Sequence, residues 1–425
     1  MSLILYNITL FLYELTLWLA SPWNVKAKKW ISGRKNLIFK IENDFIEHGT
    51  KKNTRIWVHC ASLGEFEQAR PVIELIKKDI PTAEIILTFY SPSGFEIRKN
   101  YALAEFVYYL PIDTSYNAGK FISILKPDIA IFVKYEFWYH YLNTLKNKKI
   151  HVFLISAIFT QDQIFFRWYG GLFKKMLETF THIFVQNESS LKILTSHGYT
   201  NVTVSGDTRF DRVRILCGEK FQEEEKLKKF IQEIPVLVAG SIWENDLRVI
   251  IPLIHKFNHP LKIIIAPHEV DEKSLKMLED SLQKSTIRYS QFTSNENKGK
   301  SIENSILILD TIGLLGKIYR FAAISYVGGA FGKGLHNILE PAAYGTPVIF
   351  GPHYQRFPEA VEMINRGTGF SVENSQEFSD TFVKLYSDTN LREKIFTEQK
   401  KYMEENCGAA ESVWEGIRNK KLSAN

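Results

Sequence analysis

Short runs of β-branched and other apolar residues alternate along this chain with stretches whose apolar positions recur at helical spacing. The runs RIWVHCA (55–61), EIILTF (84–89), AEFVYYL (104–110), DIAIFV (128–133), KIHVFLIS (149–156), HIFVQ (182–186) and VTVSG (202–206) predict strands. Strands that are apolar throughout belong to a parallel sheet covered by helices on both faces. A charged stretch, GEKFQEEEKLKKFIQE (218–233), interrupts the series and predicts a linker helix. The pattern resumes with PVLVAGS (235–241), KIIIAP (262–267), SILILD (305–310), AAISYVGG (322–329) and TPVIFG (346–351). The expected fold class is α/β: two doubly wound, Rossmann-like domains at 31–217 and 235–404, joined by a linker at 218–234 and facing a cleft at the carboxyl ends of their strands. A closing segment, 405–425, is expected to form a helix that packs back on the first domain.

Ahead of the first strand, residues 1–30 read as a membrane anchor or interfacial helix. The run LILYNITLFLYELTLWLA (3–20) is apolar except for Asn7, Thr9, Glu14 and Thr16, and Pro22, Trp23, Lys26, Lys28, Lys29 and Trp30 follow it. No positive charge precedes the run and no small-residue cleavage site follows it, so it is not expected to be a cleaved signal. Spanning a bilayer takes about 20 apolar residues, and Glu14 near the middle favours a shallow or protein-packed helix. Spanning, interfacial docking and burial in a core all fit the pattern. The lysines and tryptophans after it suit a cytoplasmic headgroup surface, which places the globular part in the cytosol.

Composition narrows the class. At 425 residues with 45% hydrophobic positions, the chain can bury two cores. Its net charge of +6 is spread along the sequence, which argues against a nucleic-acid partner while allowing attraction to anionic lipid. Cys60, Cys217 and Cys407 are isolated, as expected for a reducing compartment, and form neither a disulfide framework nor a zinc motif. No D-x-D spacing occurs and His255 and His259 lack the glutamate of HExxH, so neither a catalytic metal nor another cofactor is expected.

Two segments could carry chemistry. HCASLGE (59–65) ends the first strand and leads into a helix with Ala69, Val72, Ile73 and Ile76 on one face. Glu65 there admits two readings: partner of Ser62 in an S-x-x-E capping box, or a general base kept ionised by the helix N-terminus. The glycine-rich run GGAFGKG (328–334) could offer amides to a phosphate, Asn337 is expected to start the helix behind it, and Glu340 could accept bonds from ribose hydroxyls. Its spacing matches neither a P-loop nor a dinucleotide fingerprint, and a purely structural turn is the alternative.

Taken in order, the motifs resemble the Kdo (3-deoxy-manno-octulosonic acid) transferase family of lipopolysaccharide assembly, which are GT-B glycosyltransferases. The resemblance rests on the anchor, HCASLGE, SPSGFE (91–96), YLPIDT (109–114), KPDIAIFVKYEFW (126–138), VQNE (185–188), SGDTRFD (205–211), IAPHE (265–269), LDTIGLLGKIY (309–319) and GGAFGKGLHNILEPAAYGTPVIFGPH (328–353). It implies transfer of Kdo from CMP-Kdo to a lipid A precursor at the cytoplasmic face of a bacterial inner membrane. By the same resemblance Glu65 matches the catalytic base, Arg209 a basic position that stabilises developing charge, and Glu136 a carboxylate of the site. The CMP-contacting segments map to Pro267 and His268, to Ile312, Gly313 and Leu314, to Gly328 and Gly329, and to Asn337, Ile338, Leu339 and Glu340. The chain departs from the family where Lys134 replaces a first glutamate, His268 an arginine and Leu314 a glutamate.

Other readings remain: a GT-B enzyme acting on another nucleotide sugar, such as a UDP-sugar transferase or epimerase, or a membrane-docked binding protein that has lost activity. The aromatic stretch IFFRWYGGLFKK (164–175) fits either core packing or contact with acyl chains.

Overall fold

The computed structural model describes residues 2–48, 53–293 and 306–422; the parts of the expected segments at 1, 49–52, 294–305 and 423–425 lie outside the described residues. The chain divides into two compact units, Met1–Arg212 with Cys407–Asn425, and Val213–Asn406.

The first unit is built on a seven-stranded parallel sheet made of β1 (Arg55–Cys60), β2 (Glu84–Phe89), β3 (Phe106–Tyr109), β4 (Ile129–Val133), β5 (His151–Ala157), β6 (His182–Val185) and β7 (Val202–Val204). Their order across the sheet is β3-β2-β1-β4-β5-β6-β7. Alternate residues of each strand enter opposite cores: Trp57, Ile86, Phe132 and Leu154 lie on one face, and Ile56, Val58, Leu87 and Ile131 on the other. Two apolar faces per strand are what the unbroken runs in the sequence required.

The closing helix, Ala409–Leu422, lies in this unit, with Ala410, Val413, Trp414 and Ile417 in its second core. Asp211 fastens the start of that helix by accepting the amides of Gly408 at 2.6 Å and Ala410 at 2.8 Å. Removing this carboxylate leaves both amides short of a partner, at about 1–3 kcal/mol. Asp211→Ala is expected to raise hydrogen exchange across 409–422 selectively; unchanged protection there would show that the apolar face alone holds the helix.

The second unit repeats the plan with β8 (Val236–Ile242), β9 (Lys262–Pro267), β10 (Thr286–Arg288), β11 (Ile306–Ile308), β12 (Ile324–Val327), β13 (Val348–Phe350) and β14 (Gly369–Ser371), ordered β10-β11-β9-β8-β12-β13-β14. The edge strands β10 and β14 have three residues each, too short to register as apolar runs. The stretch expected as a linker belongs to this unit: its helix Glu224–Ile231 buries Leu227, Phe230 and Ile231. Its charged surface hid an i, i+3, i+4 apolar stripe.

The N-terminal helix, Leu3–Ala20, is long and apolar enough to cross a membrane, yet Tyr6 is its one buried residue. Trp23 is 87% exposed, whereas Trp30 is buried beneath the Arg34 guanidinium, which lies 4.0 Å from its ring. Trp30 therefore does not serve the headgroup role expected of it. In the 164–175 stretch Phe165 and Leu172 are core residues, while Trp168 is 93% exposed.

Candidate active site

In the first sheet the chain reverses its direction of travel between β1 and β4, and the crevice at the carboxyl ends of such a pair is where α/β sheets hold ligands. After β1 the chain turns into the helix Leu63–Asp79 with Ser62 as N-cap. The Ser62 side chain makes no capping bond, but Glu65, in the first turn, accepts the Ala61 amide. Glu65 thus anchors the residue before the N-cap, Ala61, in place of the reciprocal capping box that the sequence suggested. Dipole arguments alone would leave its carboxylate ionised at neutral pH. The structure corrects this: burial, and then the charge of Glu136, raise its pKa from 4.5 to about 7, against the Ala61 amide and the Lys134 ammonium.

Glu136 follows β4 and is itself held rigidly. Its Oε2 accepts Trp138 Nε1 at 2.7 Å and lies 2.8 Å from His59 Nε2. The other ring nitrogen, His59 Nδ1, is 2.9 Å from Thr88 Oγ1, which accepts Trp57 Nε1 at 2.8 Å. The His59 ring thus joins the Glu136 carboxylate to the Thr88 hydroxyl. This buried network bridges β1 and β4 across the reversal point. Lys134, at the start of the same segment, has a φ of 60°, a strained backbone of the kind that clusters at functional sites.

Arg209 stands in the first turn of the helix Thr208–Gly218 and donates through Nε and Nη2 to Asp207 Oδ2, both at 2.7 Å. Thr208 Oγ1 donates to the Gln68 carbonyl at 2.7 Å, and Gln68 is one turn beyond Glu65 on its helix. Glu65, Glu136 and Arg209 are thus gathered around one end of the first sheet.

In the second unit the reversal falls between β8 and β12. There the buried Asp246 accepts the amides of Trp243 at 2.9 Å and Gly329 at 3.0 Å, and the Tyr326 hydroxyl at 2.8 Å. It ties the loop after β8 to the glycine-rich loop after β12. That loop is not the open phosphate cradle the glycines suggested. Gly332 and Gly334 donate to the Gly329 carbonyl at 3.1 and 3.0 Å, His336 to Gly328 at 3.3 Å, and Gly328 to Gly240 at 2.9 Å. A Cβ at Gly329, where φ is 98°, would stand 2.2 Å from the Gly334 carbonyl, so the loop's own closeness demands glycine.

Pro267 ends β9, and the His268 ring after it stacks on Trp243 at 4.1 Å and faces His336 at 4.6 Å. Trp243 Nε1 donates to His336 Nε2 at 3.1 Å. Burial, assisted by His268, pushes the His336 pKa down to about 4, so this aromatic stack is neutral at His336 near pH 7. Trp243 lines both a cavity of about 340 Å³ beside Pro267, His268 and Lys273 and one of about 220 Å³ beside Asp246, Gly329 and Lys333.

Glu340 accepts Asn337 Nδ2 at 3.1 Å and abuts Gly316, just after Ile312, Gly313 and Leu314. The helix here is Leu339–Ala343, and it starts after Asn337, whose Oδ1 accepts the Leu339 amide at 3.2 Å. Ile338 and Leu339 point into the core, which leaves only their backbone for a ligand.

Comparison with known proteins finds one recurring similarity. The family model for 3-deoxy-D-manno-octulosonic-acid transferase (kdotransferase) matches residues 39–212, within the first unit. Curated Kdo transferases carry the similarity through the second unit as well: the Aquifex aeolicus enzyme is 27% identical over 85% of this chain and 94% of its own length. The chain is thus similar to Kdo transferases over most of its length.

The Haemophilus influenzae member of the family is 26% identical over 84% of this chain and 85% of its own. A bifunctional glycosyltransferase/methyltransferase from Fusobacterium nucleatum is also 26% identical, and this chain spans 56% of its length. Among solved structures, the UDP-GlcNAc 2-epimerase from Neisseria meningitidis superposes with a TM-score of 0.62 at 17% identity, covering 86% of this chain and all of the other. A glycosyltransferase from Rickettsia africae gives a TM-score of 0.56 at 13% identity over 88% of this chain and 99% of its own. These likenesses establish the fold, which is of the GT-B type. His59, Trp138, Trp243, Asp246 and His336 were not singled out from sequence. An acidic residue three positions after an aromatic at a strand end, as in Trp243–Asp246, was the available signal for one of them.

Proposed function

We propose that this chain is a Kdo transferase that moves Kdo from CMP-Kdo to a hydroxyl of a lipid A precursor, with Glu65 as the general base, while docked on the cytoplasmic face of a bacterial inner membrane. The observation that carries the reading is Glu65 itself: a half-buried carboxylate at the reversal point of the first sheet, with a pKa of about 7. A base poised near the working pH combines a usable ionised fraction with proton affinity high enough to assist an alcohol.

In the proposed step the acceptor hydroxyl oxygen bonds to the anomeric carbon of Kdo while Glu65 takes its proton. The bond from that carbon to the phosphate oxygen breaks, and CMP leaves with the electron pair. Arg209 meets developing negative charge, and the His59–Glu136–Trp138 network fixes the carboxylate that tunes Glu65. The second unit holds CMP through the segments at 267–268, 312–314, 328–329 and 337–340. The exposed apolar N-terminal helix and the lysines after it supply attachment to an anionic bilayer.

The pH profile tests the base. Glu65 acts only when deprotonated, so kcat/KM for the lipid acceptor rises with pH and levels off above about 7. Lys134 holds this pKa down, so Lys134→Met moves the acid limb to higher pH. A profile flat between pH 5 and 8, assayed as an order-of-magnitude span around that value, contradicts the role.

A further inference from the structure

Helical spacing puts Leu3, Tyr6, Leu10 and Tyr13 on one face of the N-terminal helix; Leu3 and Leu10 pack against the first core and Tyr6 is buried in it. The opposite face, with Ile4, Ile8, Phe11, Leu15 and Trp18, is exposed. The inward face does more than pack. The Tyr6 hydroxyl donates to Asp113 Oδ2 at 2.6 Å, and Asp113, fully buried, also accepts the amides of His140 at 3.1 Å and Tyr141 at 3.0 Å. Those amides open the helix Tyr139–Asn147, whose own N-cap residue, Trp138, provides no capping bond. Asn7 Oδ1 lies 2.8 Å from His140 Nε2.

A second route starts at Tyr13. Its ring stacks on Tyr90 at 6.3 Å, and Tyr90 packs on Trp138 at 4.6 Å. Trp138 Nε1 then donates to Glu136 at 2.7 Å, and the charge of Glu136 acts on Glu65. The first route ends at the start of the helix Tyr139–Asn147 and the second on its N-cap residue, Trp138, so the two meet at the end of the segment 134–138. The protein covers one side of this helix at Leu3, Tyr6 and Leu10, with Tyr13 partly exposed at the edge of that side, so lipid reaches mainly the other side, and Lys26, Lys28 and Lys29 follow it with exposed side chains suited to anionic headgroups.

We propose that this helix lies in the plane of an anionic bilayer and positions the catalytic segment 134–138, with Tyr6 and Tyr13 as positioning residues. The inference rests on the general-base reading of Glu65. Seating the outer face in lipid holds the inner face on Asp113 and Tyr90, and those contacts keep Glu136 where it tunes Glu65.

The test separates attachment from positioning. Protein purified in detergent, where membrane recruitment is not limiting, is assayed for transfer from CMP-Kdo to a lipid A precursor, and binding is followed by co-sedimentation with phosphatidylglycerol vesicles. Tyr6→Phe is expected to lower kcat by about tenfold, leaving KM for CMP-Kdo within about twofold and vesicle binding unchanged. Phe11→Ser, on the outer face, does the reverse: vesicle binding falls and kcat in detergent stays at the wild-type value. Tyr13→Leu, which keeps an apolar contact, serves as the second positioning variant should Tyr6→Phe melt early. Wild-type kcat in both Tyr6→Phe and Tyr13→Leu, or losses in step with vesicle binding, overturns the proposal. Absence of transfer by the wild-type protein would sink the transferase reading, and the inference with it, through a different observation.

Discussion

Glu65→Gln is expected to lower turnover by about 10²–10⁴-fold, the span by which positioned general bases act, while CMP-Kdo binds as before. Glutamine keeps an oxygen for the Ala61 amide, so the helix start survives and the loss isolates proton transfer. Stability moves the other way. The Glu65 pKa is raised on folding, from 4.5 to about 7, so the folded state holds its proton more tightly than the unfolded chain. The associated stability is fully present below about pH 4.5 and is lost as pH rises through 7. Glutamine carries no charge to bury, so at pH 8 the variant is expected to melt above the wild type, a gap that closes towards pH 4.5. A variant that melts lower at every pH and keeps its turnover would leave Glu65 as a cap and nothing more.

The second large effect is expected at Asp246. Alanine there strands three donors at once: the buried Gly329 amide and Tyr326 hydroxyl and the partly buried Trp243 amide. Each unsatisfied donor costs about 1–3 kcal/mol, and the sum approaches the whole stability of an ordinary domain, about 5–15 kcal/mol. Asp246→Ala should therefore unfold the second unit at much lower denaturant, and below that point donor affinity should fall because Gly329 is no longer held against the loop after β8. Asp246→Asn keeps an acceptor oxygen and should lie between. If Asp246→Ala binds CMP-Kdo with wild-type affinity in the folded state, the glycine-rich loop does not depend on this tether.

Which features were legible in the sequence follows from what kind of interaction made them. Strands such as RIWVHCA and KIIIAP showed themselves because burial on both faces demands unbroken apolar runs, and both lie where expected as β1 and β9. The strand β14, Gly369–Ser371, escaped because three residues at a sheet edge carry no period. Glu65 was visible as an S-x-x-E at a strand end, but its raised pKa depends on Glu136, 71 positions later, which only the β1–β4 pairing brings near. The glycine run suggested amides waiting for a ligand; whether an amide is already engaged, as at Gly332 and Gly334, is a property of the closed loop and not of composition. Asp113 and Tyr6 stand 107 positions apart and each looked unremarkable alone, an aromatic residue in an apolar helix and an aspartate in a loop.

The central claim is tested most directly by incubating the detergent-solubilised wild-type chain with CMP-Kdo and a tetraacyl, bisphosphorylated lipid A precursor, and weighing the lipid by mass spectrometry. The account predicts that the lipid gains the mass of one or more Kdo residues as CMP is released. Lipid of unchanged mass beside intact CMP-Kdo would contradict it.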